Sequence, residues 1–114
     1  LSTIPTTDPR RAGMRPCQSM DEVRAEIDRL DALLVPLVVE RLGYVAQAAG
    51  LKPTRDAVVV PWRIEDVVAK ARLHARHAQG DEDTIERIWR ALVDISIDWE
   101  RAHFDRLRLR GTGS

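Results

Sequence analysis

SMDEVRAEIDRLDALLVPLVVERLGYVAQAAGLK, residues Ser19 to Lys52, reads as one long amphipathic helix. Counting from Val23, apolar residues recur in steps of four and three through Ile27, Leu30, Leu34 and Leu37, and the same steps then land on Arg41, Tyr44, Ala48 and Lys52. Two cations therefore stand where leucines would continue the seam. At about 1.5 Å of rise per residue they lie roughly 16 Å apart along one face, with the mostly small Val45, Ala48 and Ala49 between them. Burying an unpaired charge is costly, so such a pair needs carboxylate partners or an anionic ligand, unless the long stems carry both charges out to water.

The limits of this helix are written in the residues beside it. Ser19 and Glu22 have capping-box spacing, Asp21 adds negative charge to the first turn, and Pro53 sets the far limit near Gly50 or Leu51. Pro36 falls inside, where a missing N–H costs about 3 kcal/mol that long-range packing must override. Residues 1–18, with three prolines and no periodicity, read as a flexible arm.

Lys52 to Val60 reads as a loop, since a four-residue apolar run without a partner strand is unlikely to form a sheet. A second helix opens at Pro61 and ends by Gly80, with a stripe of Ile64, Val67, Val68, Ala71, Ala75 and Ala78. Arg63 sits in its first turn, where backbone donors favour an anion. The third helix is expected from Asp83, paired with Glu86 as a cap. Its seam runs through Ile85, Ile88, Trp89, Leu92, Ser96, Trp99, Glu100, His103 and Leu107. Ser96 and Glu100 are its polar breaks; four apart, they share a face, and a solvated helix edge shows the same pattern. The expected domain is 19–109, followed by a disordered tail over 110–114.

Composition narrows the class. One domain of 114 residues with 44% hydrophobic residues can build a core. Lys plus Arg and Asp plus Glu balance at 18 each, so no global field draws in nucleic acid. The single Cys17 excludes an intrachain disulfide framework and fits a reducing compartment. No apolar run is read as reaching membrane-spanning length and no secretory pattern opens the chain, so the expectation is a cytoplasmic protein that uses no membrane. His74 and His77, three apart and without a third clustered ligand, read as an exposed pair and not a metal site. The tryptophans read as packing residues.

The architecture expected is an all-α, three-helix chain forming an intertwined helical-bundle homodimer. A first helix near 48 Å long exceeds what a second helix of ~28 Å can cover, and a domain of this size has a radius of gyration of roughly 13 Å. A two-fold partner would bury the remainder of the seam, and the site could then be shared.

With Arg24, Arg41, Lys52, Arg63, Ser96 and Glu100 in view, the chain resembles the all-helical chorismate mutase family (AroQ class), including its isochorismate-pyruvate lyase branch, over about Met20 to Leu107. The strongest block is Val23 to Lys52, where Arg24, Glu40-Arg41 and Lys52 match the first helix of the family without a gap. The resemblance implies shared active sites in a homodimer, no cofactor and no covalent intermediate. It implies that Arg24 reaches the partner's site, Arg41 and Arg63 hold carboxylates of a small dicarboxylate substrate, Lys52 faces the ether oxygen, Ser96 lines the carboxylate pocket, and Val60 adjoins the substrate. Glu100 would assist the ether oxygen, where many members have Gln, and a carboxyl donates only while protonated. Ile64 stands where typical mutases carry a Glu for the ring hydroxyl; an apolar residue there and the loop length from Lys52 to Arg63 are shared with the lyase branch. The expected reaction is rearrangement of chorismate to prephenate, with isochorismate cleavage as the alternative. A helical interaction module using the basic end at Arg101, Arg106, Arg108 and Arg110 is the non-enzymatic alternative.

Overall fold

A computed structural model of the chain describes residues 14–112. It contains α1 (Met20–Leu51), a single 3-10 turn (Arg55–Val58), α2 (Pro61–His77) and α3 (Glu82–Thr112). Among the described residues there is no strand, and the fold is all-α as expected. Most of the expected arm, residues 1–13, and the last two residues lie outside the described part. α3 continues through Arg110 to Thr112, into the stretch expected as a tail.

Local chemistry accounts for the helix ends. Ser19 Oγ accepts from the Glu22 N–H at 3.1 Å, while the Glu22 carboxylate turns back to the N–H of Gln18, one residue before the cap. At α3 the cap is Asp81 and not Asp83: Asp81 Oδ1 accepts from the N–H groups of Asp83 and Thr84 at 3.0 and 3.4 Å, and its second oxygen takes the Thr84 hydroxyl. These bonds hold the Asp81 carboxyl below its ordinary range. α2 stops three residues before Gly80. Gln79, at φ 60°, takes the left-handed position; its N–H bonds the Arg76 carbonyl, and the Gly80 N–H reaches back to the Ala75 carbonyl at 2.8 Å. This is a Schellman ending with glycine one place later than usual.

The chain divides into two units, 1–40 and 41–114. In the first, α1 runs unbroken through Pro36. Its seam residues Ile27, Leu30, Leu34 and Leu37 are 42–54% exposed, and Val35 and Val39 off the seam are exposed as well. Arg15 lies 3.3 Å from Glu26 and 3.7 Å from Glu22, and Arg29 joins Glu26 at 3.0 Å. α1 contains an 18-residue window of mean hydropathy 1.4, so by length and composition it meets the requirement for a membrane span. Leucines, valines and alanines on either side of Glu40 and Arg41 keep the average high, which a search for an unbroken apolar run overlooks.

The second unit holds the end of α1, the 3-10 turn, α2 and α3, with a core of Ala49, Val58, Val68, Ala71, Ala75, Val93 and Phe104. Small residues on α2 leave room for α3 to approach closely. The α2–α3 pair is also laced by charge: Arg90 donates to Glu65 and Glu86, Arg72 to Glu86, and Arg76 to Glu82, all within 3.1 Å. The buried stripe of α3 is Val93, Ser96, Glu100 and Phe104, whereas the seam positions Ile88, Trp99 and Leu107 stay exposed. Of the tryptophans read as packing, Trp62 is 71% exposed. Trp99 donates its indole N–H to the Leu42 carbonyl at 3.0 Å and stacks, tilted, on His103.

Candidate active site

A pocket of about 480 Å³ opens within the second unit. α1 supplies Arg41, Tyr44, Val45, Ala48 and, just past its end, Lys52; the loop and α2 supply Val58, Val60, Trp62, Arg63, Ile64 and Val67; α3 supplies Val93, Ser96, Ile97 and Glu100. Periodicity explains the convergence. Arg41, Tyr44 and Ala48 share one helical face, as do Val93, Ser96 and Glu100, and both faces turn into the same space.

Arg41 is half-buried, and its Nη1 donates to Ser96 Oγ at 2.9 Å. The Ser96 hydroxyl in turn donates to the Leu92 carbonyl at 2.7 Å. Among the described residues no carboxylate lies within ion-pair distance of Arg41. Burial, and then the charge of Arg63, pull its guanidinium below the ordinary value. Lys52 Nζ donates to Glu100 Oε2 at 2.7 Å, and the Glu100 side chain is only 10% exposed. Arg63 is more exposed; it bonds Asp66 Oδ2 at 2.7 Å, and hydrogen bonds from Lys70 and then Arg63 hold that carboxyl below its usual range.

The lining thus carries three cations, Arg41, Lys52 and Arg63, against one carboxylate, Glu100. Lys52 is paired with Glu100, and Arg63 with Asp66 just outside the lining. Among the described residues Arg41 is thus the lining cation left without a carboxylate, and three cations around a partly apolar pocket are chemically suited to a small anion.

Arg41, Lys52, Val60, Arg63, Ser96 and Glu100 all line this one pocket, and Ser96 and Glu100 are buried, not on a solvated edge. Arg24 lies in the first unit, its side chain 67% exposed and 3.8 Å from Asp21. Tyr44 and Trp62 were not anticipated as lining residues. The signal for Tyr44 was available, since it sits three residues past Arg41 on the same seam; nothing local distinguishes Trp62.

A sequence profile of the family described as chorismate mutase type II matches residues 23–101. That range holds every expected site residue, from Arg24 to Glu100. No curated protein matches the chain.

Proposed function

Because the chain belongs to the chorismate mutase type II family, we propose that it converts chorismate to prephenate in the pocket between Arg41 and Glu100. The observation that carries this reading is the uncompensated charge of Arg41, half-buried with no carboxylate at ion-pair distance among the described residues, in a lining that also holds Lys52 and Arg63. Chorismate brings two carboxylates. Arg41 and Arg63 would each take one in bidentate fashion, and a substrate fixed at both ends is held in the compact chair that its rearrangement requires. In that step the ether C–O bond breaks while a C–C bond forms in one electron cycle, with no proton transfer and no covalent link to the protein.

Negative charge grows on the ether oxygen as the bond breaks, and Lys52 is the donor for it. Glu100 fixes the ammonium in place beforehand, so little reorganisation is needed when the charge appears. Glu100 itself helps the oxygen only while protonated, and Glu100→Gln would supply a donor at every pH.

The first unit supports a two-fold partner in this reading. Leu33 to Val39 is apolar around most of the helix, and such a stretch is stable when covered from more than one side. A second copy would cover it and bring Arg24 to the partner's pocket. Mixing Arg24→Ala with Arg41→Ala chains should then restore activity through hybrids with one intact site; no rescue after proven subunit exchange would rule out sharing.

One observation favours a second reading. Ile64 lines the pocket and offers no hydrogen bond to a ring hydroxyl, which suits isochorismate cleavage as well. Incubation with each compound separately decides: prephenate from chorismate is expected, salicylate plus pyruvate from isochorismate would shift the assignment to the lyase, and no turnover of either would overturn both.

A further inference from the structure

The last turns of α3 do no work in the pocket, yet they hold the loop that forms one of its walls. Residues 52–60 start at Lys52 and include Val58, which is 4% exposed, and Val60; all three line the pocket. On the outer side the loop is tied to α3 twice. Arg55 Nε donates to Asp105 Oδ1 at 3.0 Å, and Arg108 Nη2 donates to the Pro53 carbonyl at 2.9 Å. The Arg108 guanidinium is itself steadied over the Phe104 ring, 5.1 Å from its centroid, and Phe104 is buried. Asp105 and Arg108 follow Glu100 on the same helix by five and eight residues, roughly 8 and 12 Å along the axis.

We infer that Arg55, Asp105 and Arg108 are positioning residues for the pocket: they latch the 52–60 loop so that Val58, Val60 and Lys52 face the substrate. Of the basic end of α3, which in sequence looked like an interaction surface, Arg108 turns onto this loop, beside the acidic Asp105. Both members of the Arg55–Asp105 pair are half-exposed, so the tie is weak and salt-sensitive. Weakness suits the task, because a loop walling a site must part for substrate and close again. Prolines at 53 and 61 fix φ at either end, which limits the ways the segment can rearrange when it parts.

The kinetic arm of the test rests on the reading of the pocket as a chorismate site; the exchange arm does not. Asp105→Arg and Arg55→Asp should each speed amide hydrogen exchange over residues 53–60 by about two- to fivefold, the size expected for one exposed ion pair. The charge-swapped double variant should restore protection, and Arg106→Ala, exposed in the same turn, should change nothing. With chorismate, each single variant should raise KM, by less than the change in exchange, with kcat within twofold of wild type, and the swap should bring KM back. Arg108→Ala should add to Asp105→Arg. Unaltered exchange in both single variants, or a swap that restores neither readout, overturns the latch. A wild-type chain inert toward chorismate would sink the substrate assignment while the exchange data still decide the latch.

Discussion

The two halves of α1 obey the same rule and meet different fates. From Met20 to Glu40 the seam of Ile27, Leu30, Leu34 and Leu37 is exposed; from Arg41 to Leu51 the same seam lines a pocket, and Ala49 beside it is 1% exposed. Periodicity therefore specifies a face but not its partner. Where the partner lies later in the same chain, Ala49 is buried and polar side chains are held at defined distances, although Tyr44 and Leu51 stay exposed. Where it does not, a helix carries large apolar residues that a folded chain rarely leaves uncovered in such number.

The sharpest way to test that contrast is to injure each half separately. In the proposed reaction Lys52→Ala removes the donor to a charge that exists mainly in the transition state, so kcat should fall by about 10²–10³-fold, or ~3 kcal/mol of barrier, with binding far less affected. An unchanged turnover number would remove Lys52 from the chemistry. Leu34→Glu addresses the other half. On a face that stays wet this substitution changes stability by no more than about 0.5 kcal/mol, whereas in a face covered by a second chain it buries an unpaired charge. The expected outcome is an apparent mass halved in sedimentation together with lost activity; a Leu34→Glu protein indistinguishable from wild type would show that no partner covers this face.

Smaller effects should localise to the second unit. Hydrogen bonds from Arg90, Arg76 and again Arg90 are the leading reason that Glu65, Glu82 and Glu86 sit below the ordinary glutamate value of 4.5. Depressed carboxylates contribute stability that is present above pH 4.5 and lost as pH falls through their folded values. Thermal melts from pH 7 downward should thus be flat until about that point and then drop, with high salt blunting the drop; a decline beginning near neutrality would assign acid lability elsewhere. Least of all, Gln79→Gly should raise stability by up to about 1 kcal/mol, because glycine accepts the left-handed backbone at that position freely. A lowered midpoint in urea would mean that the Gln79 side chain contributes more than its backbone strains.

Much of this was legible in the residues. Ser19, Pro53 and Pro61 mark boundaries through local chemistry, and Arg41, Ser96 and Glu100 stand out because each interrupts an apolar rhythm. The cap of α3 was misjudged for a physical reason: Asp81 and Asp83 both precede acceptable helix starts, and only the loop path from Gly80 selects between them. Trp62 was misread because hydrophobicity alone cannot tell a core aromatic from one at a pocket rim. The Arg55–Asp105 tie joins residues fifty apart, a distance over which no periodic signal operates.

Arg41 has a consequence for how this protein would respond to selection. Its guanidinium is partly desolvated and feels Arg63, both of which disfavour the charged form, so a leucine there should make the ligand-free fold more stable. A library randomised at position 41 and chosen for heat resistance alone should drift toward apolar residues and lose the proposed carboxylate-binding arginine. The same library heated with a saturating dicarboxylate should keep arginine, because a ligand that binds only the folded form with Arg41 returns by mass action what the lone charge took away.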